Sequence, residues 1–478
     1  MKTQEYKIDL TVKELITASQ AFHYRIVPKS YNNSVLVLAT DTPITPSLIN
    51  ELAIVLDKEI KMESLESSLL DIYLGYNYRK VVVQDFLKGT DDYLTCLITT
   101  AKQFGSSDIH IEVFETKARV RFRLDGKLKE QFQIRKEDYP QLINQIKIKA
   151  GMDIAQNRLA QDGRIRFSSN AAQNSAFTSE RLDIRVSCIP TLHGEKMVLR
   201  LLHNTLQNIA LKDLGFTPSE FQRFKQAISH SQGLVLISGP TGSGKTTTLY
   251  ATLKELNKEV SNIITIEDPI EYTLEGINQV QLREDIGFDF PSALRSFLRQ
   301  DPDIIMVGEI RDEATADMAV KAALTGHLVL STIHTNSSWE TVSRLVDMGI
   351  PSFLLANTLK MSVAQRLVRK LCPSCKTEVS VSDSPLALEG ILPKDIQKVY
   401  APVGCPSCFY TGYKGRQPIY EVLPITKALE PHIRANNLEI NTYFDQKNIV
   451  SLPSNALRLL KSGVTSLEEV YPFLMNNL

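Results

Sequence analysis

Residues 234–250 read LVLISGPTGSGKTTTLY, and this stretch decides the fold of the chain. The apolar run at 234–237 predicts a buried strand, the glycines after it predict a tight loop, and the residues from Lys245 onward predict a helix. Residues 239–246 match the pattern G-x-x-x-x-G-K-[ST] without a mismatch. A strand, a glycine-rich loop and a helix in this order are typical of a phosphate-binding loop.

Each residue type in this loop has a physical task. Glycines allow backbone conformations in which several N–H groups converge on phosphate oxygens, and the start of the following helix favours the same anion. Lys245 is expected to reach the β- and γ-phosphates, and the Thr246 hydroxyl is expected to coordinate Mg²⁺. The alternative is a glycine-rich turn that binds nothing. The predicted nucleotide-binding residues of the loop are Gly239, Pro240, Thr241, Gly242, Ser243, Gly244, Lys245, Thr246 and Thr247.

Composition limits the possible partners and locations. The 478 residues are enough for about three domains. The chain carries 54 basic and 54 acidic residues, so no global field attracts nucleic acid. The first ten residues, MKTQEYKIDL, lack the apolar core of a signal peptide, and no apolar run is long enough to span a bilayer. We therefore expect a cytoplasmic protein that binds no nucleic acid.

The pattern of apolar residues changes several times along the chain. Before residue 75 the pattern predicts helices over 14–27 and 47–56 and a strand over 34–40, and arginine-bearing alternating strands follow up to residue 205, one of them over 118–128. Apolar strands then alternate with helical patterns, which predicts a mainly parallel sheet covered by helices. The predicted domains are 1–77, a docking or regulatory module; 78–205, a second α+β domain; 206–370, the nucleotide-binding core; 371–415, a cysteine segment; and 416–478, a helical C-terminal region.

Arginines recur on the strands of the second domain. Alternate residues of a half-exposed antiparallel sheet face solvent, so most of these arginines are predicted to form a solvated face. The alternative is that one or two of them reach a nucleotide held by a neighbouring subunit, for which a planar and always-charged side chain is suited. The arginines are Arg119, Arg121, Arg123, Arg164, Arg166, Arg185 and Arg200.

Acidic residues follow two of the core strands. DIIMVGE at 303–309 predicts an apolar strand that ends near Glu309. A carboxylate there, beside a phosphate loop, can coordinate Mg²⁺ through water or polarise the attacking water. ITIEDPIEY at 264–272 places Glu267, Asp268 and Glu271 after another strand, and Glu267 and Asp268 are expected to contribute to nucleotide binding. Carboxylates there can orient or deprotonate water, although acids after a strand also commonly cap the next helix.

Two histidines frame a third strand, HLVLSTIHTN at 327–336. A lone histidine is most often a satisfied polar contact, but two histidines around one strand of a nucleotide-binding sheet favour a functional role. His334 is expected to sense the γ-phosphate, and His327 is expected to contribute to nucleotide binding.

Four of the six cysteines form two Cys-x-x-Cys pairs. Cys372, Cys375, Cys405 and Cys408 give C-x₂-C-x₂₉-C-x₂-C, a spacing that can place four thiolates tetrahedrally around Zn²⁺. Because all four positions come from the protein, the predicted zinc is structural. A reducible disulfide pair is the alternative.

Several of these motifs, taken in order, resemble one family. GPTGSGKTTTLY, TIEDPIEY, LRQDPDIIMVGEIRD, ALTGHLVLSTIHTN, QRLVRKLC and the four cysteines are similar to the type II secretion and type IV pilus assembly ATPases, with the type II secretion ATPases as the nearer branch. SSDIHIE, QDGRI, LDIRVS and HGEKMVLRLL resemble the second, PAS-like N-terminal domain of that family.

The resemblance implies a RecA-like P-loop ATPase that acts as a homohexamer, with α+β N-terminal domains before the core. It implies that Glu271 is the general base, that Glu309 belongs to the Walker B motif, and that His327 and His334 form a histidine box. It also implies that Arg185 and Arg200 approach the γ-phosphate. The implied partners are a platform protein and docking proteins at the inner membrane, reached through the N-terminal domains, so that the chain is peripheral to that membrane.

The leading hypothesis is therefore ATP hydrolysis coupled to protein secretion or to assembly of a pilus-like filament. A DNA-processing motor on the same core, such as a helicase, is the alternative enzyme, and balanced charge argues against it. A nucleotide-gated scaffold without useful hydrolysis is the non-enzymatic alternative. The acids at Glu271 and Glu309 argue against the scaffold.

Overall fold

The structure is a computed structural model, and it describes residues 8–78, 93–168, 181–202, 209–381, 392–435 and 440–475, with single gaps at 9, 14, 33 and 394. The chain forms two compact units. The first unit comprises the described residues of 1–203, 369–415 and 463–467. The second unit comprises the described residues of 204–368, 416–462 and 468–478.

The first unit begins with a small three-stranded sheet in the order β1-β2-β3, in which β1 pairs antiparallel and β3 parallel with β2. The predicted strand at 34–40 is confirmed. The helix predicted over 14–27 is wrong at its end, because the backbone turns at Arg25 with a φ of 49° and the β-branched Ile26 and Val27 enter a strand. The elements are α1 Leu10–Lys13, α2 Ala18–His23, β1 Ile26–Asn32, β2 Val35–Thr40, α3 Pro46–Leu56, β3 Glu59–Ser64 and α4 Ser67–Asn77.

A six-stranded antiparallel sheet follows in the first unit, in the order β6-β5-β4-β9-β8-β7. The single strand predicted over 118–128 is a hairpin, because Asp125 and Gly126 take φ values of 46° and 88° and reverse the chain. The elements are α5 Tyr93–Gln103, β4 Asp108–Val113, β5 Ala118–Leu124, β6 Lys127–Ile134, α6 Tyr139–Ala150, β7 Gln161–Ser168, β8 Arg181–Thr191 and β9 Gly194–Leu202.

The arginines of this sheet are paired more extensively than a solvated face requires. Arg119 and Arg121 both donate to the carboxylate of Glu112, at 2.9 and 2.7 Å, and this carboxylate is largely buried. Arg123 and Arg200 lie 3.2 Å from the two carboxylate oxygens of Asp108. The solvated-face prediction is therefore wrong for Arg119, Arg121 and Arg123, because the sequence pattern does not show which acid lies opposite on the neighbouring strand, whereas Arg200 stays 60% exposed.

The second unit is built on a seven-stranded sheet in the order β12-β11-β13-β14-β10-β15-β18. The pairs of β10 with β14 and β15, of β13 with β11 and β14, and of β11 with β12 are parallel. The predicted parallel sheet is confirmed. Its strands are β10 Gly233–Ser238, β11 Ile263–Glu267, β12 Asn278–Gln281, β13 Ile304–Val307, β14 Leu328–Ile333, β15 Leu359–Leu371 and β18 Tyr413–Pro424.

Helices cover both faces of this sheet. Leu234 and Leu236 of β10 point into one hydrophobic cluster, and Val235 and Ile237 point into the other. All six residues of β10 are buried, as expected for a central parallel strand. The helices of the unit are α7 Pro218–Ile228, α8 Lys245–Leu256, α9 Phe290–Phe297, α10 Glu313–Leu324, α11 Glu340–Asp347, α12 Ser352–Thr358, α13 Glu430–Arg434, α14 Asn441–Gln446, α15 Leu452–Lys461 and α16 Leu467–Met475.

Strands β15 and β18 were not predicted. The helical prediction for 416–478 is wrong at its start, because residues up to Pro424 continue β18 at the edge of the sheet. Buried residues 419–423 of this strand form a continuous run without alternation, and such a run cannot be assigned to a strand or a helix from periodicity alone. Between these strands, β16 Thr377–Ser380 pairs antiparallel with β17 Lys398–Ala401 in the first unit.

Trp339, which no motif explains, is a core residue of the second unit. Its side chain is buried among the apolar residues that α10 and α11 place against the sheet. We expect Trp339→Ala to lower the free energy of unfolding by about 3–5 kcal/mol, because it leaves a large cavity. Circular dichroism during thermal unfolding measures this. Trp339→Phe is the control and should cost less, and equal melting temperatures for Trp339→Ala and the wild type would contradict the assignment.

Candidate functional site

The glycine-rich loop joins the end of β10 to the start of α8. Gly239, Gly242 and Gly244 have φ values of 149°, 80° and 86°, which L side chains rarely adopt. A Cβ atom at Gly239 would lie 2.5 Å from the carbonyl oxygen of Gln365 and 2.7 Å from Ser243 Oγ. Only glycine therefore fits at position 239, which explains the first glycine of the motif.

Lys245 lies at the first position of α8 and folds back over the loop. Its Nζ donates to the carbonyl oxygens of Gly239 at 2.6 Å and Pro240 at 3.1 Å. The pKa of Lys245 is lowered to about 8, mainly by burial, while Glu309 opposes the shift and the positive charge of Arg366 adds to it. A desolvated cation that bonds to carbonyls is suited to receive an anion, and the buried Ser243 Oγ has no partner among the described atoms. The loop therefore fits a phosphate.

Glu309 follows β13 and lies at the same edge of the sheet as the loop. His334 Nε2 is 3.6 Å from one Glu309 oxygen, and Arg311 contacts the other. Arg311 also lies 3.7 Å from Asp268. Burial lowers the pKa of His334, and the nearby positive charge of Lys245 lowers it further, so the imidazole is neutral at pH 7. The carboxyl ends of β10, β11, β13 and β14 thus bring together predicted residues from four motifs.

Oxygen donors suited to Mg²⁺ are available beside the loop. The Thr246 side chain is exposed in the first turn of α8, and Glu309 offers a carboxylate. Mg²⁺ prefers such oxygen ligands and keeps several waters. These two residues would hold the ion, which on binding would neutralise phosphate charge.

Glu267 has a different setting from the one expected of a nucleotide ligand. It is 3% exposed, and it accepts hydrogen bonds from Thr265 Oγ1 at 2.7 Å, from Gln279 Nε2 at 3.0 Å and from the Tyr250 hydroxyl. The Tyr250 hydroxyl in turn accepts a hydrogen bond of 3.3 Å from the backbone N–H of Glu271. We interpret Glu267 as an anchor that holds the loop carrying Asp268 and Glu271.

His327 lies outside the group of residues around the phosphate loop. It precedes the first residue of β14, while His334 follows the last one, and six strand residues span about 20 Å. Its Nδ1 lies 2.9 Å from the carbonyl oxygen of Ala322, which satisfies it locally. His327 and His334 thus lie at opposite ends of β14, as the sequence places them, and the nucleotide-binding role expected of His327 stays a prediction.

Arg366 was missed by sequence reasoning. Its guanidinium donates to the carbonyl oxygen of Asn336 at 2.9 Å and to that of Gln365 at 3.0 Å, beside the loop. Burial lowers the pKa of Arg366. The quoted QRLVRKLC segment contains it, but nothing in its spacing indicates which neighbour the side chain meets.

Arg185 and Arg200 belong to the first unit, where they occupy directly opposite positions on β8 and β9. Arg164 lies opposite Arg185 on β7, and Asp108 lies opposite Arg200 on β4, so one row crosses four strands. Arg200 keeps 60% of its side chain exposed despite its contact with Asp108. Their approach to a nucleotide stays a prediction.

The four cysteines of the zinc prediction come together in the first unit. All four Sγ atoms lie within 4.8 Å of one another, and three of the distances are 3.8–3.9 Å. Tetrahedral zinc with Zn–S bonds of about 2.3 Å requires S···S distances of about 3.8 Å. Hydrogen bonds from the Cys375 thiol and from backbone N–H groups lower the pKa of Cys408 to about 4. The donor set fits a closed structural zinc site.

The cysteine cluster is packed against the second domain of the first unit. Phe409, one residue after Cys408, takes a φ of 51° and stacks on Phe104 with ring centroids 4.0 Å apart. Lys129 Nζ donates to the Phe409 carbonyl oxygen at 2.7 Å, and the Gly415 N–H donates to Asp125 at 2.9 Å. The metal ligands thus hold the loop that contacts the β5–β6 hairpin.

We expect Cys405→Ser to lower bound zinc below about one ion per chain, because it removes one of four thiolates. Amide hydrogen exchange should then rise in residues 405–412 and also in the β5–β6 hairpin. Metal analysis and exchange mass spectrometry measure both effects. Cys96→Ser is the control, since Cys96 lies on α5 outside the cluster. Full zinc content in Cys405→Ser would contradict the assignment.

The lowered pKa of Lys245 predicts a pH dependence of nucleotide binding. Below about pH 8 Lys245 is already charged, whereas above it the bound phosphate must restore the proton. Affinity for ADP should therefore fall as pH rises from 8 to 9, by at most about tenfold per pH unit, with proton uptake on binding. Calorimetry in two buffers of different ionisation enthalpy measures the uptake. His334→Gln should keep this uptake, and a pH-independent affinity would contradict the prediction.

Comparison with known proteins agrees with these motifs. The family described as "Type II/IV secretion system protein" matches residues 89–472. The type IV pilus assembly ATPase PilB of Myxococcus xanthus is 44% identical over 81% of this chain and 69% of its own length. The type II secretion system ATPase E of Vibrio cholerae is 41% identical over 81% of this chain and 76% of its own length. The chain spans about two thirds of the length of the first pilus relatives it matches.

The fold has solved counterparts as well. A crystal structure of the pilus retraction motor PilT with bound ADP superposes with a TM-score of 0.51 at 27% identity, covering 79% of this chain and 95% of that chain. Among the described residues, no helix is long and apolar enough to cross a membrane.

Proposed function

The chain belongs to the family of type II/IV secretion system ATPases, and from this membership we propose that it hydrolyses ATP to drive protein secretion or the assembly of a pilus-like filament. Relatives from both systems are similarly identical to it, at 44% and 41%. The expected preference for the secretion branch therefore gains no support from these identities. Either system requires the same motor chemistry.

One observation carries the proposal. The buried Lys245, the exposed Thr246 and the Glu309–His334 pair converge at the carboxyl edge of one parallel sheet. Ligands bind at this edge in open α/β sheets, because loops and helix N-termini meet there. No part of this convergence requires a DNA partner, which leaves the DNA-processing alternative without support.

The residues then have distinct tasks in hydrolysis. Phosphoryl transfer to water needs positioning and charge stabilisation more than covalent chemistry. Lys245 and the loop N–H groups bind the β- and γ-phosphates, and Thr246 and Glu309 hold Mg²⁺. Glu271 accepts the proton of the attacking water, the role that the family resemblance implies, and the Tyr250 hydroxyl helps to hold its backbone in place. His334, neutral beside Glu309, registers the γ-phosphate by a hydrogen bond.

Arg185 and Arg200 complete the site in this proposal as cations supplied by a neighbouring copy in a homohexamer. The two arginines lie directly opposite each other on β8 and β9, and Arg200 keeps 60% of its side chain exposed beside Asp108. Arginines of this kind are worth about 10³-fold or more in turnover in other phosphoryl-transfer enzymes.

We place the motor at the cytoplasmic face of the inner membrane, held there by partner proteins. The N-terminal module of residues 1–77 and the second domain would dock on platform and docking proteins. The module contains none of the residues that converge on the phosphate loop, and its helices and sheet form their own hydrophobic cluster. It is therefore suited to a binding role independent of hydrolysis.

The proposed function is tested by ATP turnover of the full chain against protein concentration. We expect turnover per chain to rise steeply with concentration, because each site needs a neighbour. Glu271→Gln should lower it by about 10²–10⁴-fold, as for a lost general base. Arg185→Ala and Arg200→Ala should each abolish the concentration dependence.

Arg166→Ala is the matched control, since Arg166 is an exposed arginine two residues along β7 from Arg164 on the same face. It should behave like the wild type. Concentration-independent turnover with unaffected arginine variants would show that each chain hydrolyses alone and would overturn the hexamer proposal. No turnover in any condition, with nucleotide binding intact, would favour the scaffold.

A further inference from the structure

Gln365 is a buried polar residue that none of the proposed catalytic steps uses. It lies on β15, whose Ala364 is the register partner of Ser238 on β10, so Gln365 comes level with the first residue of the phosphate loop. Its side chain is 1% exposed. A primary amide at this depth is costly unless both of its ends find partners.

Both ends of this amide are engaged by the phosphate loop and its helix. Nε2 donates to the carbonyl oxygen of Ser243 at 2.9 Å, inside the loop. Oε1 accepts from the Thr248 hydroxyl at 2.8 Å, one turn into α8. One side chain thus ties the middle of the loop to the helix on which Lys245 and Thr246 lie.

The fit between Gln365 and the loop is close on two sides. A Cβ atom at Gly244 would lie 2.9 Å from Gln365 Nε2, and one at Gly239 would lie 2.5 Å from the Gln365 carbonyl oxygen. Two glycines of the motif therefore approach Gln365 so closely that neither position has room for a Cβ atom. Gln365 therefore contacts the loop at two glycines whose positive φ angles set its shape.

We propose that Gln365 is a positioning residue that holds the phosphate loop ready for nucleotide, with Thr248 as its partner, and thereby sets nucleotide affinity more than the rate of hydrolysis. The physical reason is preorganisation. A loop that is already ordered loses less conformational entropy when phosphate binds. The inference rests on the proposed nucleotide site and adds a determinant of its affinity.

The same strand offers a matched control for loss of a buried polar group. Ser362 lies three residues before Gln365, is fully buried, and its Oγ has no hydrogen-bond partner among the described atoms. Ser362→Ala removes a polar atom from β15 without touching the phosphate loop. Any effect on nucleotide binding that comes only from altering β15 should appear in the variants of both Ser362 and Gln365.

The experiment is a titration of the full chain with a fluorescent methylanthraniloyl-ADP in the presence of Mg²⁺. We expect Gln365→Met, which keeps the volume, to weaken binding about tenfold, or about 1.4 kcal/mol. Thr248→Val should weaken it several-fold, and Thr248→Ser, which keeps the hydroxyl, should restore it. The double variant Gln365→Met with Thr248→Val should bind like Gln365→Met alone, because both changes break one interaction. Turnover at saturating ATP should stay within about twofold of the wild type, because the chemical step is left intact.

Several outcomes would overturn the inference. Wild-type affinity in Gln365→Met or Thr248→Val, with only a lower melting temperature, assigns both residues a structural role. Additive losses in the double variant, or an equal loss in Ser362→Ala, do the same. If Gln365→Met does not fold, the comparison of Thr248→Val with Thr248→Ser decides, and equal affinities of these two overturn the proposal. The Lys245→Ala variant distinguishes a failure of the proposed function from a failure of the Gln365 proposal. Failure of the wild type to bind overturns the proposed function, whereas binding lost in Lys245→Ala but kept in the Gln365 and Thr248 variants overturns only the role of Gln365.

Discussion

The close approach of the Gly239 backbone to strand β15 is the constraint on which the nucleotide edge of this protein depends. No side chain fits between Gly239 and the Gln365 carbonyl, so the loop leaves β10 in a direction that glycine alone permits. This direction carries Lys245 back over the loop and aims the start of α8 at the space beyond it. The pairing of β10 with β15 thus determines the path of the phosphate loop through one close backbone contact, that of Gly239 with the Gln365 carbonyl.

Burial of positive charge makes this edge suited to bind an anion. Lys245 bonds to carbonyl oxygens, and Arg366 does the same, so both cations are desolvated while their hydrogen bonds go to neutral groups. The pKa of each is lowered for that reason. A phosphate group that enters supplies the missing negative charge. The nearby acids contact other residues instead. Glu309 lies beside Arg311 and His334, and Asp268 lies beside Arg311, so both carboxylates are held in place.

The cysteine segment of the first unit is held by a different set of interactions. In the described part of the segment between β15 and β18, one small hydrophobic cluster consists of Val403 and the four cysteines. A metal bound by these thiolates would stabilise this segment. Phe409 stacks on Phe104 and its carbonyl oxygen accepts from Lys129, so the metal would also order part of the surface of the six-stranded sheet.

The sequence by itself determined the parallel core, the phosphate loop and the four-cysteine cluster, because each depends on residues close together in the chain or on a strict spacing. It also indicated Glu309 and His334, since both follow apolar strands whose carboxyl ends must meet. Only the tertiary structure decided that Gln365 and Arg366 flank the loop and that Glu267 is an anchor. These depend on which strands become neighbours, and β15 and β18 reach the sheet by long connections that leave no periodic trace. Hydrophobic periodicity specifies which face is buried, whereas the identity of the partner across that face is fixed only when distant strands pair.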